Sequence, residues 1–362
     1  MSKRLIVILA LALVASLTFS AAYAEVQNVK VSGDITASGV LRNHFNLTNG
    51  AAGDKNDIAQ SFLMTQTRVR IDADLTDNVM ATVRLINERV WGGLDDSGSS
   101  DNSNIDLDLA YVTLKEFLYS PLTLTIGRQD IRFGNALIIG NAGLRAGKTN
   151  IPSDLSIRKS FDALRATLNY DPLVVDLIYA KVKENSIDRN NDISLAGINA
   201  TYAVNSKLDA SAYYFLKRDN DPDDAVGTAN SRGKADKVNV LGALVSARPI
   251  EDLTASLEAA FQFGKNDGTG TSISQENHKA WAIQGMADYT FSKVKMTPKV
   301  GASYTYLSGG ETSTTRNQGW DSMFYDQALN NITYAILPFS NMSVVNLKAS
   351  IKDRKSTRLN SS

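Results

Sequence analysis

Polar and apolar residues alternate along most of the chain. In residues 63–75, Leu63, Val69 and Ile71 share one parity, whereas Arg68 and Asp72 share the other. Successive side chains of a β-strand point to opposite faces, so this alternation predicts a strand with one apolar and one polar face. Such segments recur about fourteen times, near residues 29–45, 63–75, 79–88, 105–117, 122–132, 161–170, 173–182, 193–204, 208–217, 238–247, 253–263, 279–291, 296–306 and 342–351.

The connections between these segments alternate between short and long. The long polar connections begin at Gly92, Lys217 and Gly264, and short turns occupy residues 76–78, 118–121, 171–172, 205–206, 249–252 and 292–294. Tight turns at one end and long loops at the other are typical of outer-membrane barrels. The sequence therefore predicts an all-β protein, a transmembrane antiparallel up-and-down β-barrel, in which residues 309–338 form a large outside loop.

Aromatic residues occur beside the short turns, where a strand of the barrel would leave the membrane. Strands in general favour aromatic residues, but the repetition predicts the aromatic girdle of a membrane interface. The residues are Phe117, Tyr119, Tyr170, Tyr202, Tyr289 and Phe291.

The first residues predict export. Lys3 and Arg4 precede an apolar run at residues 5–19, and the small residues Ala22 and Ala24 follow. This is the pattern of a signal peptide over residues 1–24, and its apolar run is too short to be preferred as a membrane-spanning helix. We assign residues 25–353 to the barrel, incomplete at its C-terminal end, and residues 354–362 to a non-native tail.

Composition narrows the class of partner. The chain has 38 basic and 38 acidic residues, and removal of the signal peptide leaves 36 basic residues. A nearly neutral chain argues against nucleic-acid binding, and the absence of Cys excludes disulfides. The predicted surroundings are outer-membrane lipid, and no cofactor is predicted.

Charged residues inside the strands predict a channel wall. Arg68, Arg84, Arg128 and Arg165 lie about six to eight residues above the nearest short turn. Six residues climb roughly 15 Å, near the middle of the apolar band, where an Arg that faces lipid costs on the order of 2–4 kcal/mol. We therefore predict an inward arginine belt that favours anions. The predicted pore-lining residues are Arg68, Arg70, Arg84, Arg128, Arg132 and Arg165.

Two alternatives remain open for this belt. The charges could pair with one another, as Arg68 with Asp72 and Arg128 with Asp130, and merely keep the wall hydrated. In addition, Arg128 shares the parity of Ile126, so it faces inward only if Gly127 hosts a β-bulge.

Acidic residues lie lower in the strands than the arginines. Asp72, Asp74, Asp209 and Asp288 are all within a few residues of short turns. The sequence therefore predicts that they line the periplasmic mouth.

Two stretches resemble the alginate export family of outer-membrane porins. They are IGRQDIRFGNALIIG, residues 126–140, and SFDALRATLNYDPLVVDLIYAKV, residues 160–182. The resemblance implies a barrel of about 18 strands whose arginine-lined constriction passes an anionic polyuronate outward. By motif it places Arg128 at that constriction, whereas Arg132, Arg158 and Arg165 are supported more by pattern. The chain departs from such barrels by stopping in RKSTRLNSS, which resembles translated sequencing adapter, so about four strands are expected to be missing.

The leading functional interpretation is a non-enzymatic channel for anionic small solutes or an anionic polysaccharide. A small-solute uptake porin without polysaccharide specificity is the closest alternative. An outer-membrane enzyme would need a base, and we interpret both histidines, His44 and His278, as surface residues at loop edges. An adhesion barrel is the third class, and the acidic run at residues 219–224 lacks the spacing of a calcium loop.

Overall fold

The computed structural model describes residues 28–43, 59–93, 105–143, 151, 155–184, 192–220, 235–266, 276–310, 316–327 and 339–352. The signal segment, His44 and the tail at residues 354–362 lie outside these ranges. The strands are β1 (Asn28–Asn43), β2 (Ala59–Thr76), β3 (Val79–Val90), β4 (Asp106–Leu114), β5 (Leu122–Gln129), β6 (Phe161–Asn169), β7 (Leu173–Lys183), β8 (Ile193–Asn205), β9 (Leu208–Asp219), β10 (Asp236–Ala247), β11 (Leu253–Asn266), β12 (Glu276–Thr290), β13 (Lys299–Leu307), β14 (Arg316–Asn317) and β15 (Met342–Ser350).

The strands form one antiparallel meander. Each strand from β1 to β12 pairs with the next along the chain, and β15 pairs with β13. The two-residue strand β14 lies parallel to β12, off this path. Within the described residues, fourteen strands therefore build the wall, in agreement with the alternating pattern. Among the described residues, no helix is long and apolar enough to cross a membrane.

One face of the sheet is an apolar band. Residues directly opposite each other in neighbouring strands share a face, so the pairing register defines rows that run around the wall. Most large side chains of one such row, including Leu241, Phe261 and Trp281, are exposed on the protein surface. The row consists of Leu124, Ala166, Leu177, Ile198, Tyr214, Leu241, Phe261 and Trp281. An exposed apolar band of this kind is the lipid-facing surface of a membrane barrel.

Aromatic side chains lie exposed at the short-turn end of this band. Tyr119, Tyr170, Tyr202 and Phe291 are all among the exposed large hydrophobic residues. Tyr289 packs edge-on against Phe291, with 4.9 Å between ring centroids. Their position is that of an interfacial girdle.

The opposite face of the sheet packs against chain segments folded into the interior. Residues 130–143, which follow β5, form the first inner segment, and residues 316–327, between β13 and β15, form the second inner segment. The first contributes Ile131, Leu137 and Ile139 to the buried cluster, and the second contributes Trp320 and Phe324. Their partners are inward side chains of the wall, namely Phe161, Ala163, Ile178, Ala180, Val182, Leu195, Tyr213, Phe215, Val240, Ala260, Ala280, Ala282 and Leu307.

The second inner segment corrects the expectation of an outside loop at residues 309–338. Trp320 is 2% exposed and Phe324 is 6% exposed. These large apolar side chains favour burial against the apolar inner face over contact with water. The described part of this connection therefore lies inside the wall.

Gly127 does not host the expected bulge. β5 pairs with β4 and with β6 in regular register through this position. Gly127 instead has a φ of 121°, and a Cβ there would overlap the carbonyl oxygen of Ala110. Glycine is required because the backbones of β4 and β5 approach closely at a conformation that other residues avoid.

We expect Gly127→Ala to destabilise the protein by about 1–3 kcal/mol, through backbone strain and loss of this close approach. The matched control is Gly285→Ala in β12, where the nearest neighbouring atom to a new Cβ is 3.9 Å away. The measurement is urea unfolding of the purified protein in lipid vesicles, followed by tryptophan fluorescence. Equal midpoints for the two variants would contradict the requirement for glycine.

Candidate channel interior

The two inner segments are joined to each other by their backbones. Ile139 and Phe324 form a parallel β-bridge. The amide N–H of Gly140 donates to the Phe324 carbonyl at 2.8 Å, and the N–H of Phe324 donates to the Ile138 carbonyl at 3.0 Å. The N–H of Asp326 donates to the carbonyl of Ala136 at 2.9 Å. The two segments therefore form one unit, although almost two hundred residues separate them in the chain.

A carboxylate reinforces this junction. Asp326 accepts from Arg132 at 2.7 Å and from Lys159 at 2.6 Å. The Asp326 side chain is only 10% exposed, whereas Arg132 and Lys159 are 51% and 39% exposed. Asp326 thus binds the second inner segment to both ends of the connection between β5 and β6.

Amide side chains attach the unit to the wall. Gln284 in β12 and Gln327 form a reciprocal amide pair, with N–O distances of 2.6 and 2.8 Å. Gln327 also donates to the carbonyl of Asn135 at 2.7 Å. Because Gln284 is fully buried, these bonds satisfy an amide that would otherwise be costly to desolvate.

Aromatic rings pack the unit against the wall. Phe133 stacks on Phe215 with 5.5 Å between centroids, and Phe324 meets Phe161 edge-on at 5.9 Å. The guanidinium of Arg165 lies over the Phe133 ring at 5.4 Å. Aromatic pairs and a cation over a ring each contribute stabilisation beyond that of the buried apolar area.

A partly buried ion pair positions the second inner segment against β9 and β11. Lys217 donates to Asp321 at 2.9 Å, and Gln262 bonds both the carbonyl and the N–H of Asp321 at 2.7 and 2.9 Å. Burial raises the pKa of the Asp321 carboxyl, but the Lys217 charge, its hydrogen bond and a bond from the Met323 N–H outweigh burial. The pKa of Asp321 therefore lies below its ordinary value.

Three predicted pore-lining arginines lie together on the interior face of β2 and β3. Arg70 and Arg84 are directly opposite each other, and Arg68 lies two residues from Arg70 on β2. Each guanidinium is paired with carboxylates. Arg68 binds Asp34 at 3.0 Å, Arg70 binds Asp72 at 2.8 Å, and Arg84 binds Asp108 at 2.5 Å and Asp130 at 3.0 Å.

The remaining inward arginines are also paired. Arg165 in β6 donates to Asp176 at 2.8 Å. Arg132, in the first inner segment, donates to Asp326 at 2.7 Å. The pairs suggested by the sequence, Arg68 with Asp72 and Arg128 with Asp130, do not occur in the ion pairs of the described residues. Most partners come instead from neighbouring strands or inner segments. Arg68 and Asp72 are four residues apart on one strand, farther than cross-strand neighbours, and Arg128 binds the cross-strand Asp162.

Arg128 lies on the other face, which corrects its inward placement. It is directly opposite Ala110 and Asp162, in the row that continues the parity of the exposed Ile126 and Leu164. Its guanidinium binds Asp162 at 2.7 Å. Without a bulge at Gly127 the alternation is not reset, so Arg128 points outward near the end of β5 that leads into the long connection.

The four predicted mouth carboxylates lie near the short turns, in different surroundings. Asp72 accepts from Arg70 and from the Thr82 hydroxyl at 2.7 Å. Asp74 accepts from the Asn28 amide at 3.3 Å. Asp288 binds Lys348 at 2.8 Å and Lys299 at 3.5 Å. Asp209 and Asp288 line one cavity of about 220 Å³, together with Asn135, Lys207, Ser246, Arg248 and Ser256.

Sequence reasoning missed the centre formed by Glu88. This buried carboxylate on β3 accepts from Gln66 at 2.8 Å, from the Ser156 hydroxyl at 2.8 Å and from Arg158 at 3.0 Å. Arg158 also binds Asp106 at 2.7 Å. Glu88 shares the inward parity of Arg84, which is a usable signal, but nothing in the sequence places the connection containing Arg158 against it.

His278 differs from the predicted loop-edge residue. It lies within β12, is 1% exposed and contacts the Gln262 side chain at 3.2 Å. β12 begins at Glu276, three residues earlier than the alternation suggests. The inward parity of His278 places it under the second inner segment.

An antiparallel meander with an exposed apolar outer band and a charged, partly filled interior defines an outer-membrane channel. The sequence profile of the alginate export family matches residues 29–361. The chain therefore belongs to the alginate export family, which makes it a channel rather than an enzyme and places it in the bacterial outer membrane.

Solved porin structures are similar to the chain at low sequence identity. OccK8 (OprE) of Pseudomonas aeruginosa is 13% identical, with 81% of this chain and 77% of that chain covered and a TM-score of 0.47. OmpF of Salmonella typhi is 12% identical, with 89% and 97% covered and a TM-score of 0.40. OprB of Pseudomonas putida is 13% identical, with 77% and 74% covered and a TM-score of 0.43. No curated protein sequence matches the chain at a significant level.

We expect Asp326→Asn to loosen the junction between the inner segments. The variant loses the charge that binds Arg132 and Lys159, a loss of about 1–2 kcal/mol for partly buried pairs. Single-channel recordings in planar bilayers should show a larger mean conductance or frequent transitions to a larger one. The control is Asp77→Asn on an exposed short turn. Conductance that is unchanged in Asp326→Asn would contradict this role.

We expect acid to release the second inner segment. The Asp321 carboxylate has a lowered pKa, so its stabilising contribution is present above the ordinary Asp pKa of about 3.9. That contribution is lost as the pH falls below this value through the lowered pKa. Trp320 is 2% exposed and reports the change, once the exposed Trp91 and Trp281 are replaced by Phe. Its emission should shift to longer wavelength in this pH range.

Asp321→Asn serves as the comparison for the acid transition. It should show the shifted emission of Trp320 already at neutral pH and no further transition with acid. An unaltered acid transition in Asp321→Asn would assign the effect to another group.

Proposed function

We propose that the channel conducts anionic solutes past the arginine cluster of β2 and β3, with an anionic polysaccharide such as alginate as the preferred substrate. The observation that carries this proposal is the position of Arg68, Arg70 and Arg84 together on one interior surface. Like charges directly opposite each other are unfavourable. Their grouping therefore suits a surface that meets negative charge.

Arg68 is the group best placed to meet a solute. Its guanidinium binds Asp34 through Nε alone, so its terminal N–H groups make no hydrogen bond to the described residues. A guanidinium has five N–H donors in a fixed fork. A passing carboxylate can accept first from the terminal nitrogens, while Asp34 still binds Nε.

The existing ion pair is weak enough for exchange. The side chains of Arg68 and Asp34 are 27% and 48% exposed. Pairs this accessible contribute only about 0–1 kcal/mol. The carboxylates of a polyuronate can thus replace Asp34 at Arg68 and leave again, as conduction requires.

A second candidate is a channel for small anionic solutes without polysaccharide specificity. The joined inner segments favour it, since they place a buried apolar cluster inside the wall. This reduces the cross-section available to a chain of sugars. Both candidates use the same arginines and differ in the size of solute that passes.

We expect the protein to prefer anions in reversal-potential measurements across a planar bilayer under a salt gradient. Arg68→Gln should lower the anion-to-cation permeability ratio by a factor of about two to three, since one accessible charge is worth under about 1 kcal/mol. Arg128→Gln is the matched control. It removes an equal charge from a similarly exposed ion pair on the outer face.

Two results would overturn the proposal: cation preference in the unaltered protein, or an equal effect of both variants. Uronate oligomers of increasing length then separate the two candidates. Oligomers that pass, seen as brief current blocks that shorten with voltage, support polysaccharide transport. Oligomers that only block, while monomeric uronate passes, support the small-solute channel.

A further inference from the structure

A row of outward side chains lies above the apolar band, at the end of the sheet that carries the long connections. Because opposite residues share a face, the outward position of Arg128 places the whole row on the outer surface. The row consists of Arg128, Asp162, Lys181, Ser194, Arg218, Lys237, Lys265 and Asn277. Lys279 is also outward and is directly opposite Phe263.

The part of this row on β5 to β7 is internally compensated. Arg128 binds Asp162 at 2.7 Å. Lys181 binds Asp192 and, at 3.3 Å, Glu184. In this part of the row each cation therefore has an anionic partner from the protein itself.

The part on β9 to β12 has the opposite character. Arg218 is directly opposite Lys237, and Lys237 is directly opposite Lys265. All three side chains are exposed, as is Lys279. None of the four makes an ion pair with a carboxylate of the described residues; Arg218 donates to the uncharged amide of Asn220 at 2.6 Å. We call Arg218, Lys237, Lys265 and Lys279 the outer cationic patch.

This arrangement is unfavourable unless an anion is present. Neighbouring strands are about 4.8 Å apart, so three cations of one row lie within roughly 10 Å. Lys279 is a diagonal neighbour of Lys265, about 7–8 Å away. Like charges directly opposite each other destabilise a sheet. An anionic group with several oxygens, placed between these side chains, would relieve the repulsion.

The position of the patch indicates which anion this is. Lys237 lies four residues above Leu241 on β10, which corresponds to about 13 Å along the strand. Leu241, Phe261 and Trp281 belong to the exposed apolar band below. A cation just above lipid-facing residues is at headgroup level. In lipids, the anionic groups at that level are phosphates.

We propose that the outer cationic patch binds the phosphate groups of lipids in the outer leaflet, at the long-connection end of β9 to β12. The acyl chains of the same lipids would lie along the apolar band beneath it. This site lies on the outer surface and is independent of the arginines of the interior. We expect a bound lipid on the side of the wall formed by β9 to β12. On β5 to β7, the outward cations Arg128 and Lys181 already pair with carboxylates of the protein.

The test uses the full chain, refolded in an uncharged detergent, and native mass spectrometry to count bound lipids. The probes are lipid A carrying two phosphates and the same lipid with its phosphates removed. The phosphorylated lipid should bind, and the dephosphorylated lipid should bind at least about tenfold more weakly, since each basic residue near a phosphate contributes a factor of about five. Equal binding of the two lipids would overturn the proposal.

Variants locate the site. Lys237→Glu, Lys265→Glu and Lys279→Glu, combined, should weaken binding of the phosphorylated lipid at least about tenfold. The control combines Lys115→Glu, Lys293→Glu and Lys295→Glu, which make the same change of net charge on exposed residues of the short turns. Equal weakening by both sets would mean that net charge, not the patch, attracts the lipid, and would overturn the proposal.

Two further measurements keep the result interpretable. The combination of Lys237→Arg, Lys265→Arg and Lys279→Arg retains the charges and should retain binding, even if the glutamate variant folds poorly. Inorganic phosphate, added at the phosphate concentration of the lipid, should leave the lipid bound. Complete displacement by inorganic phosphate would show a site for free phosphate and overturn the assignment to lipid.

Discussion

The pleat of the strands is the constraint on which this structure depends. One face of the sheet meets lipid, so every charge in the middle of a strand has to share the parity of the interior. Arg68, Arg70, Arg84 and Arg165 satisfy this rule, and each has a carboxylate partner on the same inner face. A slip of one residue in any strand would exchange the two faces along its whole length.

Arg128 shows how the same constraint relaxes toward the strand ends. It shares the outward parity of Ile126, yet it lies at the penultimate position of β5, where the apolar rows give way to charged ones. Pairing with Asp162 reduces the cost of its position. The outer face therefore changes from apolar to cationic over a short distance. On β9 the successive outward residues are Tyr214, Leu216 and Arg218.

The wall could be predicted from the sequence because its signals are local. Alternation within residues 63–75 and the short turns at 171–172 and 205–206 depend on neighbours along the chain, and the fourteen strands follow from them. The interior could not be predicted in the same way. The contacts of Asp326 with Arg132, or of Glu88 with Arg158, join residues 194 and 70 positions apart. Polarity alone does not indicate which connections fold inward, and the error at residues 309–338 has this origin.

The union of the inner segments has a consequence for the order of assembly. Neighbouring strands can pair as soon as each hairpin exists, so the wall is built from contacts of short sequence separation. The bridge between Ile139 and Phe324 requires the chain to have reached beyond β13. Contacts between distant residues form late, because closing long loops is entropically costly. We therefore expect the junction between the inner segments to form after the hairpins of the wall.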